Sequence, residues 1–70
     1  MTHYYVTWQP DIVEAGDYFL THIESNRADL DVVEIMSEVF KLEEVTPLHS
    51  FELCSILRVD GTGGPAVVLH

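Results

Sequence analysis

The sequence predicts an α+β fold, a small two-layer domain with an antiparallel three-stranded sheet and two helices on one face, in the order β-α-α-β-β. Three observations lead there. Tyr4–Trp8 and Phe51–Val59 are rich in aromatic and β-branched residues at strand-like spacing. Two intervening stretches repeat their apolar residues at helical spacing. A glycine-rich turn then separates Phe51–Val59 from a short return segment.

In the first strand Tyr4, Val6 and Trp8 share one face, and His3, Tyr5 and Thr7 the other. Gln9-Pro10 ends it, and Pro10 suits the start of a helix, where its missing N–H would have no partner anyway. Asp11 and Glu14 follow at capping-box spacing. From Asp11 to Ser25 the spacing predicts a helix with Ile12, Ala15, Gly16, Phe19 and Ile23 inward, and with Glu14, Asp17, Thr21 and Glu24 outward. Gly16 costs that helix about 1 kcal/mol against alanine. A rival reading breaks the helix at Gly16 and makes Tyr18 to Glu24 a strand; the helical pattern fits better.

Asn26 suits a left-handed helix end. The second helix, Leu30 to Glu44, is the stretch around which the chain is organised. Val32, Val33, Ile35, Met36, Val39, Phe40 and Leu42 fall on one side of it, and Asp31, Glu34, Ser37, Glu38, Lys41 and Glu44 on the other. Asp29 or Asp31 caps it, and Asp31 with Glu34 repeats the capping-box spacing. Glu43 and Glu44 oppose the helix dipole at its end, so regular helix is expected to fray near Leu42. The apolar arc is wider than a surface helix needs, which leaves part of it for a partner or a deep seat in the core.

In Phe51–Val59, Phe51, Leu53, Leu57 and Val59 alternate with Glu52, Cys54, Ile56 and Arg58, and Ser55 interrupts the pattern. Asp60 to Gly64 is turn chemistry, and Pro65 to Leu69 reads as the returning strand.

Seventy residues make one domain, 1–70, with a small core. One cysteine excludes an intramolecular disulfide and points to a reducing compartment. No stretch has the length of a membrane span or the pattern of a signal peptide, so a cytoplasmic protein is expected. Twelve acids face three bases, for a formal charge of −9, yet 47% of the residues are hydrophobic. That is a folded domain rather than an acidic disordered tail. Its field repels nucleic acid and anionic membranes and favours basic protein surfaces.

Little catalytic chemistry is visible. His3, His22, His49 and His70 lack the i, i+4 spacing of a zinc pair, and no metal or other cofactor is expected. Cys54 reads as a small buried strand residue, not a nucleophile. Gly61-Thr62-Gly63-Gly64 lacks the Lys-Ser/Thr of a phosphate loop. An enzyme is therefore not expected. The remaining signal is the acidic surface: Glu14, Asp17 and Glu24 on the first predicted helix, with Asp31, Glu34, Glu38 and Glu44 on the second. These acids are expected to form one broad partner-binding face. In the alternative, an aromatic patch drawn from Tyr4, Tyr5, Trp8, Tyr18 and Phe40 carries the contact, including self-association to a homodimer.

In size, α+β pattern and acidic helical faces, the chain resembles small phage- or mobile-element-encoded inhibitors such as anti-CRISPR proteins and DNA mimics. The resemblance covers the whole chain in general character and includes no shared motif. It implies binding to a basic surface on a Cas effector or another nuclease in a bacterial cytoplasm. An immunity or antitoxin protein that neutralises a basic toxin fits the same physics.

Overall fold

A computed structural model describes residues 1–10, 18–44, 51–61 and 64–70. Its strands are β1 (Thr2–Pro10), β2 (Phe19–Ser25), β3 (Phe51–Val59) and β4 (Val67–Val68), and its helix is α1 (Val32–Leu42). They form an α+β fold in which a four-stranded antiparallel sheet, in the order β2-β1-β3-β4, carries α1 on one face.

β1 occupies an interior position because both of its edges are paired and one of its faces is covered by α1. Tyr4, Val6 and Trp8 are buried beneath α1, as their alternation predicts. On its edges, Tyr5 lies opposite both His22 of β2 and Leu57 of β3. Pro10 closes β1 opposite Phe51 and starts no helix within the described residues.

β2 corrects the predicted first helix. Phe19–Ser25 is extended, in the manner of the rival strand reading, and Asp11–Asp17 lies outside the described residues. The reason is tertiary. Thr21 and Ile23 point inward beside Val6 and Tyr4 and are buried, while Leu20, His22 and Glu24 point away and are exposed. A period of two satisfies these neighbours. A helix over the same residues would leave one edge of β1 unpaired.

α1 follows its local signals closely. Asp31 is the N-cap: its Oδ1 accepts from the Glu34 backbone N–H at 2.8 Å, and Glu34 Oε1 accepts from the Asp31 N–H at 3.4 Å. Ile35, Met36 and Val39 are buried on the sheet, with Leu30 and Phe40 packed beside them. Each buried side chain of this size contributes about 1.5–3 kcal/mol. Regular helix stops at Leu42. The Glu43 N–H reaches Val39 O at 2.9 Å, and Glu44 turns the chain with a φ of 55°.

The Ser55 irregularity has a structural cause. Thr7 pairs with Ser55 and Trp8 with Leu53, so β3 carries an extra residue, Cys54, at a β-bulge. The bulge reverses the alternation. Leu53 and Ile56 both reach the core, while Leu57 lies opposite the outward-facing Tyr5. Cys54 is exposed, not buried as the strand pattern suggested. Beyond β3, a Cβ on Gly61 would overlap the Met1 carbonyl oxygen and lie 2.8 Å from the Met1 nitrogen, which explains glycine there. β4 is shorter than Pro65 to Leu69, and the Leu69 N–H to Ile56 O bond of 2.9 Å continues its pairing.

Two polar clasps join sheet and helix. The Tyr4 hydroxyl donates to Arg27 O at 2.7 Å and accepts from the Leu30 N–H at 3.4 Å. Arg58 Nη1 donates to Ala28 O at 2.8 Å, so the connection into α1 is held from two strands. Among the described residues no second layer covers the opposite sheet face, which presents His3, Tyr5, Thr7, His22, Glu24, Leu57 and Val59.

Candidate functional site

The edge of β2 away from β1 has no strand partner among the described residues, and α1 runs close to it. Between them lies an open groove of about 580 Å³. Ile23, Leu30 and Val33 supply its apolar lining and Glu34 and Glu38 its carboxylates; Glu24 borders it, with its carboxylate turned toward His3 on the opposite sheet face. Such a groove joins three recognition elements: unpaired backbone groups, apolar contact and negative charge. Val33 is 75% exposed there, so the wide apolar arc of α1 is only partly used by the core.

The predicted acidic residues separate into groups. Asp31, Glu34, Glu38 and Glu44 belong to α1 and its ends, whereas Glu24 projects from a strand and not from a neighbouring helix. Glu14 and Asp17 lie outside the described residues. Over Phe19–Ser25 the predicted helical face is a strand instead; Glu34 and Glu38 share the groove, while the Glu24 carboxylate faces His3 on the other side of the sheet. Glu44 is exposed beyond the helix end and does not line the groove.

Part of this charge is locally engaged. Arg27 binds Glu34 at 2.6 Å and Asp29 at 3.1 Å, Lys41 reaches Glu38 at 3.4 Å, and Arg58 approaches Asp60 at 3.9 Å. Asp29 is held below the ordinary carboxylate range, first by its hydrogen bond from Arg27 and then by that residue's charge. The same partners raise Arg27 further above its already high value. The Arg27 and Lys41 pairs are solvent-exposed and contribute little to stability. With all three bases so engaged, Asp31, Glu43, Glu44 and Glu52 have no Lys or Arg partner among the described residues, and the formal net charge of the chain is −9.

Trp8 is no surface anchor. It is 1% exposed, and its Nε1 donates to Thr21 Oγ1 at 3.0 Å within the core. Burial likewise removes Tyr4 from the aromatic surface set. Tyr18 is 55% exposed and adjoins exposed Phe19 and Leu20 at the start of β2, so a smaller apolar patch survives there. Phe40 is half-buried, edge-on to Trp8 and to Phe51.

The open sheet face gathers a group that sequence spacing did not reveal. His3 Nδ1 and His22 Nε2 are 2.9 Å apart, and Glu24 Oε1 is 4.0 Å from His3 Nδ1. His22 stacks on Tyr5 at 4.8 Å with an interplanar angle of 6°, and lies edge to edge with His3 at a centroid distance of 5.1 Å. His3 and His22 stand 19 positions apart and match no short motif. Only the strand reading of Tyr18 to Glu24, set across from Tyr4–Trp8, could have brought them together. His49 lies outside the described residues, and His70 is at the β4 end of the sheet.

Among the described residues, no helix is long and apolar enough to cross a membrane. Comparison of the chain with protein-family models, curated proteins and solved structures finds no match in any of the three.

Proposed function

We propose that this chain is a non-enzymatic binding protein that receives a basic, extended segment of a partner along β2 and α1. In this reading the partner is a nucleic-acid-handling protein, such as a Cas effector or another nuclease, or a basic toxin. The bound chain inhibits it by occupying the surface meant for phosphates. The supporting observation is the groove whose carboxylates Glu34 and Glu38 stand over apolar Ile23, Leu30 and Val33, beside a β2 edge with no strand partner among the described residues. A partner strand added to that edge gains main-chain hydrogen bonds, and its Lys or Arg side chains meet the carboxylates. Site and partner both lie in the bacterial cytoplasm in this proposal.

The test is affinity capture from a bacterial lysate with low-salt and high-salt washes, followed by binding of the identified partner to Glu34→Gln/Glu38→Gln. Glutamine at position 34 keeps an acceptor for the Asp31 N–H, so the cap survives while the charge goes. Capture of a basic nucleic-acid-binding protein that is lost at high salt, with at least tenfold weaker binding by the double variant, supports the proposal. Salt-resistant binding that the variant leaves unchanged rejects it.

A second reading is self-association, with two β2 edges pairing in a homodimer. It is favoured by exposed Tyr18, Phe19 and Leu20 at the start of that strand. A dimer by light scattering that Leu20→Lys converts to monomer would support it; a monomer across the accessible concentration range would end it.

A further inference from the structure

We propose that His3, His22 and Glu24 form a binding site for a divalent transition-metal ion of the zinc class, on the sheet face opposite α1. The register creates it. Glu24 is the direct cross-strand partner of His3, and His22 pairs with Tyr5, the next outward residue along β1. All three donor atoms lie within 4.8 Å of one another. Two donors of a tetrahedral zinc ion stand about 3.3 Å apart, given metal–nitrogen bonds of about 2.0–2.1 Å. The separations of 2.9 Å and 4.0 Å fall on either side of that value. Small torsions of the side chains therefore bring the donors to coordinating distance without moving the strands.

The donor set selects the ion. Two imidazoles and a carboxylate suit zinc and its neighbours, whereas calcium and magnesium prefer all-oxygen shells. The His22 ring is oriented beforehand by its stack on Tyr5, with His3 beside it edge to edge. At present one facing ring nitrogen donates its hydrogen to the other. On metal binding that proton moves, through solvent, to the far nitrogen of the same ring. Both facing lone pairs are then free to coordinate. The three protein donors leave a fourth position for water. A charge of −9 on the chain also favours cation capture.

The ion would join β1 to the edge strand β2, in a domain whose single cysteine denies it an internal disulfide. This inference does not depend on the proposed partner, because it is tested on the isolated protein.

The experiment is calorimetric titration of the untagged, chelator-treated protein with zinc chloride, accompanied by cobalt absorption spectra and thermal melts. One zinc per chain at micromolar or tighter affinity is expected, with visible cobalt bands of tetrahedral intensity and a rise in Tm that EDTA reverses. His3→Ala and His22→Ala should each weaken binding by about tenfold or more. Glu24→Gln, which keeps the side-chain shape, should weaken it as well. His49→Ala and His70→Ala should leave it unchanged. Circular dichroism shows which variants are folded, and the exposed His22 and Glu24 variants keep the test decisive if His3→Ala is not. Absence of one-to-one binding, millimolar affinity, or binding that survives both His22→Ala and Glu24→Gln would overturn the proposal.

Discussion

The indole Nε1 of Trp8 donates to Thr21 Oγ1 at 3.0 Å inside the core. Thr21 in turn donates to Glu43 Oε1 at 3.0 Å, so one hydroxyl links β1, β2 and the end of α1. Thr21→Val keeps the shape but removes both bonds and leaves the indole N–H unpaired. The expected loss is about 1–3 kcal/mol. Urea denaturation should show a lower midpoint with an unchanged slope, and Thr21→Ser should recover most of the loss. Equal stability of Thr21→Val and the parent would mean that this link does not hold the layers together.

Glu44 adopts the left-handed conformation that glycine occupies without a Cβ penalty. It also places a negative charge beyond the negative end of α1. Glu44→Gly should therefore stabilise the domain by about 0.5–1 kcal/mol. Glu44→Ala, which removes only the charge, should contribute less than the glycine variant. A glycine variant that melts below the parent would contradict this account of the helix end.

Arg27 sets the acid response of its loop. Because Asp29 is lowered chiefly by the hydrogen bond from Arg27, the carboxylate form is the one stabilised by folding. Its small contribution is present at neutral pH and is lost as pH falls through the lowered value. Arg27→Ala should move the Asp29 carboxyl resonance midpoint up toward the ordinary carboxylate range in an NMR titration. The difference in stability between variant and parent should shrink as the solution is made strongly acidic. An unmoved Asp29 midpoint would show that the contact is not maintained in solution.

Local signals carried much of the fold. Asp31 and Glu34 announced the start of α1, Glu43 and Glu44 its end, and Tyr4, Val6 and Trp8 the inner face of β1. The error over Phe19–Ser25 arose because Phe19 and Ile23 recur at helical spacing while Thr21 and Ile23 also fit a strand. Only the unpaired edge of β1, a non-local demand, decides between them. The candidate site was less legible for the same reason. Glu34 and Glu38 were visible on one helix, but the arrival of His22 and Glu24 beside His3 depends on strand register. The bulge at Cys54 likewise appears in the sequence only as the misplaced Ser55.

The interior place of β1 also governs the order in which the molecule can assemble. Tyr5 finds one neighbour at His22 but the other only at Leu57. A nascent chain that has yielded β1, β2 and α1 still holds a sheet with one side of β1 bare, and the buried Ile56 has not yet arrived. Closure awaits a long-range pairing, which slows folding and leaves an aggregation-prone edge exposed during synthesis. The surplus of carboxylates then acts before the native state exists, as mutual repulsion that keeps incomplete chains apart.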